Sequence, residues 1–228
     1  MQIQISPIQS QEKDSCGPTS LAMILQHHGS SATEYELLAR HGGIETVTSQ
    51  GVKGTFVIEN ATIAAQDGFQ VTAYCANSEI LGLPRNSENQ YIPRELLEER
   101  LKTAQGVDKE IIARYLRAKA ANVDLMFINP SLMPIRGFLE NKIPLHISVD
   151  VNQFYDTNRF ATSAGHSIVL IGYNKKEFYY ADPDTGNIHE TYEQHLLESI
   201  RTYAKTHSAY LIAITRKFHK EVSQRKEQ

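Results

Sequence analysis

At 228 residues, 41% hydrophobic and 21% charged, the chain has the make-up of a globular protein, long enough for one large domain or two small lobes. A net charge of −3 with scattered basic residues argues against a nucleic-acid or anionic-membrane partner. Two cysteines, Cys16 and Cys75, make no disulfide framework, and no apolar run approaches the ~20 residues that span a bilayer.

The N-terminal "MQIQISPIQSQEKDS" has neither a basic start nor an apolar h-region, so it does not read as a secretory signal, and a cytoplasmic setting is the default expectation. Leu21, Ile24, Leu25 and His28 recur at helical spacing in "GPTSLAMILQHH" (17–28), with Gly29 as a stop. A second short helix is predicted over 31–43, opened by Thr33 as N-cap with Glu36 three residues on. A glycine-punctuated loop, "QGVKGT" (50–55), runs into a helix over roughly 56–67, and "QVTAYCA" (70–76) alternates as a strand carrying Cys75, read as a buried residue.

Residues 77–92 are turn-rich and expected to be exposed, and two charged helical segments follow at 93–105 and 108–121. Beyond them, 123–128, 144–151, 164–173, 177–182 and 208–215 read as strands, with helices at about 131–141 and 191–204 between. The plan is α+β: a helical lobe over about 1–76, a helical insertion over about 77–122 presenting a solvated face, a mainly antiparallel sheet lobe over about 123–215, and a charged tail over 217–228.

The chemistry centres on Cys16, placed where polar loop gives way to apolar helix. Asp14 or Ser15 is positioned to cap that helix, and Pro18 suits its first turn. The sulfur then lies over the positive end of a helix dipole, where a thiolate is stabilised. Gly17 lets a carbonyl approach closely, and the Cys16 N–H can face an oxyanion. A thiolate needs a base and the base an orienter. His166 opens the strand "GHSIVLIGY", which turns at "NKK" and returns as "EFYYADPDTG", bringing Asp182 back beside it on a hairpin. Pro183 is expected to end the ladder and leave the carboxylate at the sheet rim, accepting from the imidazole Nδ1–H. Elsewhere, "DPDTG" reads as a turn rather than a calcium loop, His146 as a satisfied core residue, and His27-His28 as a helix-end pair without a metal role.

"QEKDSCGPTSLAMIL", "NKIPLHISV" and "GHSIVLIGY" followed by "YYADPDTG" together resemble the papain-like bacteriocin-processing (double-glycine leader) cysteine peptidases, most nearly stand-alone members without a transporter. The resemblance runs over roughly 9–76 and 129–204. It implies a single papain-like two-lobed domain over 1–216, with Cys16 as nucleophile, His166 as general base and acid, and Asp182 as orienter. It also implies an oxyanion-donating glutamine six residues before the cysteine. Position 10 is serine here, flanked by Gln9 and Gln11; Gln11 is favoured and Gln9 stays open. The implied activity is cleavage of a peptide or amide bond through a thioester, with no cofactor or metal. Two alternatives remain: an acyltransferase or transpeptidase passing the acyl group to an amine or thiol, and a non-catalytic peptide-binding module.

Overall fold

The computed structural model describes residues 1–47, 51–157, 163–207 and 209–216; the charged tail over 217–228 lies outside them. The apolar stripe makes α1 (Cys16–His27), which buries Leu21, Ile24 and Leu25 completely, each worth about 1.5–3 kcal/mol of apolar burial. It stops before Gly29, which adopts φ +84° as a left-handed exit requires. Helix α2 (Glu34–His41) begins with the expected reciprocal cap: the Thr33 hydroxyl accepts from the Glu36 N–H, and Glu36 accepts from the Thr33 N–H. A ribbon of β1 (Glu45–Thr46) and β2 (Lys53–Gly54) leads into α3 (Val57–Gln66) and β3 (Gln70–Cys75). Next come α4 (Ser78–Leu81), β4 (Gln90–Tyr91), α5 (Arg94–Thr103), α6 (Gly106–Ala120) and β5 (Asp124–Phe127). The remainder is α7 (Leu132–Glu140), β6 (Leu145–Asp150), α8 (Val151–Phe154), β7 (Gly165–Tyr173), β8 (Glu177–Asp182), β9 (Asn187–Tyr192), α9 (Glu193–Ala204) and β10 (Ala209–Thr215).

Eight strands form one sheet in the order β4-β5-β3-β10-β6-β7-β8-β9. Every pair is antiparallel except β3 with β5. A parallel pair needs a long crossover, and the charged helices α5 and α6 supply it. The architecture is thus α+β, as expected, with β3 contributed to the sheet by the N-terminal half. The central strands β10, β6 and β7 are buried along nearly their whole length. Helix α1 lies against β7 and β6, α3 against β3 and β10, and α9 against β6.

One local expectation differs from the structure. Residues 77–92 are not simply exposed: Ile80, Leu81 and Ile92 are buried, because α4, capped by Asn77, tucks its apolar side chains under α5 and α6. The crossover helices present the solvated face expected of them and bury Leu97, Ile111, Ile112 and Tyr115 on the other side. Pro183 ends β8 just after Asp182, as expected, and the turn at 183–186 leads into β9, which pairs along the whole of β8.

The first ten residues are stitched to the sheet. The Ile3 N–H donates to the Ile171 carbonyl at 2.6 Å, and Gln2 bridges to Gly172 at the bulge of β7. Gly172 has to be glycine, because a Cβ there would collide with the Met1 carbonyl. Further along, the Ser10 N–H donates to the Pro183 carbonyl at 2.7 Å. Among the described residues no helix is long and apolar enough to cross a membrane.

Candidate active site

Helix α1 presents Cys16 as its first residue, half-buried, beside a cleft of about 810 Å³. Neither expected cap forms. Asp14 takes φ +63°, and the Ser15 hydroxyl turns back to the Glu12 carbonyl and the Glu34 carboxylate instead of to the helix. Glu34, only 8% exposed, also accepts from the Gln11 N–H at 2.9 Å and the Glu12 N–H at 3.1 Å. One buried carboxylate therefore holds the loop that delivers the cysteine. The sequence carried no sign of this role.

From the sheet side, β7 opens with His166 and the hairpin returns Asp182, as the register predicts. The His166 Nε2–H donates to Asp182 Oδ1 at 3.0 Å. The expected contact through Nδ1 is corrected: Nε2 faces the carboxylate, and Cys16 lines the same cleft, near enough for its sulfur to favour the imidazolium. Asp182, the last residue of β8, is only 1% exposed. Its second oxygen accepts from the Tyr155 hydroxyl at 2.7 Å, and Oδ1 also accepts from the Asp184 N–H at 2.9 Å. Tyr155, contributed just after α8, is a partner that sequence reasoning missed.

Electrostatics favours charge on the pair. Burial is the largest influence on His166 and disfavours the imidazolium, yet the Asp182 hydrogen bond, the nearby Cys16 sulfur and the charge of Asp184 outweigh it and raise the pKa to about 10. For Asp182, burial opposes ionisation, but the His166 hydrogen bond and charge and the Tyr155 hydroxyl hold its carboxyl below the usual range. Cys75, by contrast, is fully buried on β3, and burial pushes its thiol up to about 12.

Beneath Cys16, a buried polar chain supports the start of α1. The His41 Nε2–H donates to Asn60 Oδ1 at 2.7 Å, the Asn60 amide donates to His146 Nε2 at 3.0 Å, and His146 faces the Gly17 backbone. Burial, foremost, lowers both histidines to about 4, so they stand neutral. His146 is thus a core residue, as expected, but not a fully satisfied one, since its buried Nδ1 has no hydrogen-bond partner. Close packing fixes Gly17, where a Cβ would lie 2.6 Å from Thr55 Oγ1.

Of the two glutamines, Gln11 lines the cleft, while Gln9 is held against the 182–186 turn by a 3.2 Å bond to the Asp184 carbonyl. The Gln11 amide donates to the Gln9 carbonyl at 3.0 Å. Ser10 lines the cleft and donates to Thr19 Oγ1 at 3.0 Å. Residues 51–55 of "QGVKGT" also line the cleft; Gln50 lies outside the described residues. His27 and His28 are engaged with the Gln4 and Ile214 carbonyls.

Among curated proteins none matches the chain. Several solved structures are similar to it, two of which follow. One is the peptidase domain of Streptococcus ComA, a bi-functional ABC transporter involved in a quorum sensing pathway: 12% identity, 94% of this chain and 100% of that one, TM-score 0.48. The other is a double glycine motif protease from an AMS/PCAT transporter in complex with the leader peptide: 13% identity, 94% of each chain, TM-score 0.44. The family model described as Peptidase_C39 like family matches residues 3–211, nearly the whole described length and all the residues of the cleft. On that match, the chain belongs to the Peptidase_C39-like family.

Proposed function

We propose that the protein is a papain-type cysteine peptidase that cleaves a peptide or amide bond through Cys16, His166 and Asp182. The observation carrying this reading is an imidazole bonded to a buried carboxylate through Nε2, in the wall of the cleft that the half-buried Cys16 also lines, with its pKa raised to about 10. Such a ring holds the proton that the thiol gives up.

The Cys16 thiolate adds to the carbonyl carbon, and the carbonyl electron pair moves to oxygen. The Cys16 N–H, unpaired within the helix at its first turn, donates to that oxyanion, and the Gln11 amide joins it by turning away from the Gln9 carbonyl. As the C–N bond breaks, His166 passes its proton to the departing amine and a thioester remains. Neutral His166 then takes a proton from water, whose oxygen displaces the sulfur, releasing the acid and restoring the ion pair. Asp182, fixed by Tyr155, keeps the ring oriented through both halves.

The test is mass spectrometry of a peptide library incubated with the full chain, with and without an added amine. Acid products that need Cys16 support hydrolysis, and amide products formed only with amine point to acyl transfer. Cys16→Ala is expected to abolish turnover with an unchanged melting temperature, because the position borders the cleft rather than the core. Turnover by Cys16→Ala at the wild-type rate refutes the assignment.

A further inference from the structure

Behind the part of the cleft wall made by the β1–β2 ribbon and the start of α3 lies a buried cation that the proposed chemistry does not use. Arg114, from the crossover helix α6, is 6% exposed. Its guanidinium meets carboxylates from three elements. Nη2 donates to both Glu45 oxygens on β1, at 3.1 and 2.8 Å, and Nη1 donates to Glu59 on α3 at 3.0 Å. Glu110, one turn earlier on α6, lies 3.0 Å from Nη2. The guanidinium also lies over Phe56, with Cζ 4.1 Å from the ring centroid.

These partners are not equivalent. Glu110 belongs to the same helix as Arg114 and joins nothing to it. Glu59 is also held by Arg117, so its charge is matched without Arg114. Glu45 is the partner that belongs to the ribbon. That ribbon is too short to fix its own place, since its ladder pairs Glu45 with Gly54 and Thr46 with Lys53. Gly54, Thr55 and Phe56 line the cleft, and Thr55 packs closely on Gly17 beside the nucleophile.

We infer that Arg114 is a positioning residue for substrate: through Glu45 and Phe56 it holds the ribbon and the start of α3 as the wall along which an extended acyl donor lies. A buried ion pair adds little net stability, so its use here is to select one placement of the elements it joins. The crossover helices thereby govern the cleft without lining it. This rests on the peptidase reading and deepens it by naming what orders the substrate beside Cys16.

The test uses Glu45→Ala in the full chain, which leaves Arg114 paired with Glu59 and Glu110, so the fold is expected to hold. Amide exchange is read by NMR at two sites. The Val47 N–H closes the ribbon onto the Val52 carbonyl at 2.9 Å, and the Thr19 N–H reports the start of α1. Exchange is expected to quicken roughly ten-fold at Val47 and to keep its wild-type rate at Thr19. In the second arm Cys16 is alkylated by iodoacetamide, which needs no wall, and by acetyl-Ala-Ala-Ala chloromethyl ketone, which must lie along it. Glu45→Ala is expected to slow the ketone roughly ten-fold and to leave iodoacetamide unchanged. Glu45→Gln, which keeps an accepting oxygen without the charge, is expected to show part of both effects. Unchanged exchange at Val47, or equal quickening at both amides, overturns the anchor. Local quickening with the two reagents slowed alike, or not at all, overturns the positioning role, as does a wild-type Cys16 that takes iodoacetamide but not the ketone. Both expected effects in a chain that cuts no library peptide refute the peptidase reading and leave the anchored wall standing.

Discussion

Replacing Asp182 with asparagine isolates what the carboxylate charge contributes. The asparagine carbonyl still accepts from His166 Nε2 at about the same place, so ring orientation survives and the charge is removed. A charge-assisted hydrogen bond contributes about 1.5–3 kcal/mol, and one pKa unit corresponds to about 1.4 kcal/mol. The His166 pKa, about 10 in the native protein, is therefore expected to fall by roughly one to two units in Asp182→Asn. The raised pKa belongs to a base, so the imidazolium persists below it and is lost as pH rises through it. The rate of Cys16 alkylation by iodoacetamide, followed against pH together with turnover, reports that loss. The alkaline break in the two profiles is expected to move down by those one to two units, and Asp182→Asn to retain more activity than His166→Ala. An unmoved break, or the reverse order of damage, refutes the role given to the carboxylate.

Glu34→Ala strands the Gln11 and Glu12 N–H groups and the Ser15 hydroxyl; it is expected to cost about 2 kcal/mol, read as a fall of several degrees in Tm, and to lower kcat more than it raises KM. Gly17→Ala overpacks the start of α1 against Thr55 and is expected to lose about 1–3 kcal/mol in a urea melt. Adding Thr55→Ala is expected to return part of that loss, and strict additivity of the two changes refutes the contact. His41 and His146 are lowered to about 4. The stability they contribute is fully present above their unfolded value near 6.5 and is lost as pH falls toward 4, by about 1.4 kcal/mol per pH unit for each ring. Urea melts from pH 7 to 4 read that slope, and His41→Gln is expected to flatten it.

The local devices of this chain are written locally. The α1 stripe, the Thr33–Glu36 cap and the return of Asp182 to His166 across a three-residue connection each follow from spacing within about twenty residues. The partners that complete the site do not. Glu34 reaches the Cys16 loop across two turns of chain, Tyr155 comes from after α8, and Arg114 meets Glu45 from the crossover. No periodicity encodes such meetings, because tertiary packing creates them. The choice of ring nitrogen was equally hidden, since it depends on the His166 rotamer. β9 was missed because its Ile188 and Tyr192 are exposed at the sheet edge, where the usual apolar bias of a strand fades.

The stitching of the first ten residues has a mechanical consequence. Bonds from Ile3 to Ile171 and from Ser10 to Pro183 bind the strand leading to the cysteine along the same hairpin that carries the imidazole and its carboxylate. They act as the spine of a book: the pages that hold sulfur and ring share one sewn edge. A widening of the cleft is therefore expected to pivot there, parting the walls at 51–55 and Tyr203 while Cys16 and His166, close to the axis, move least.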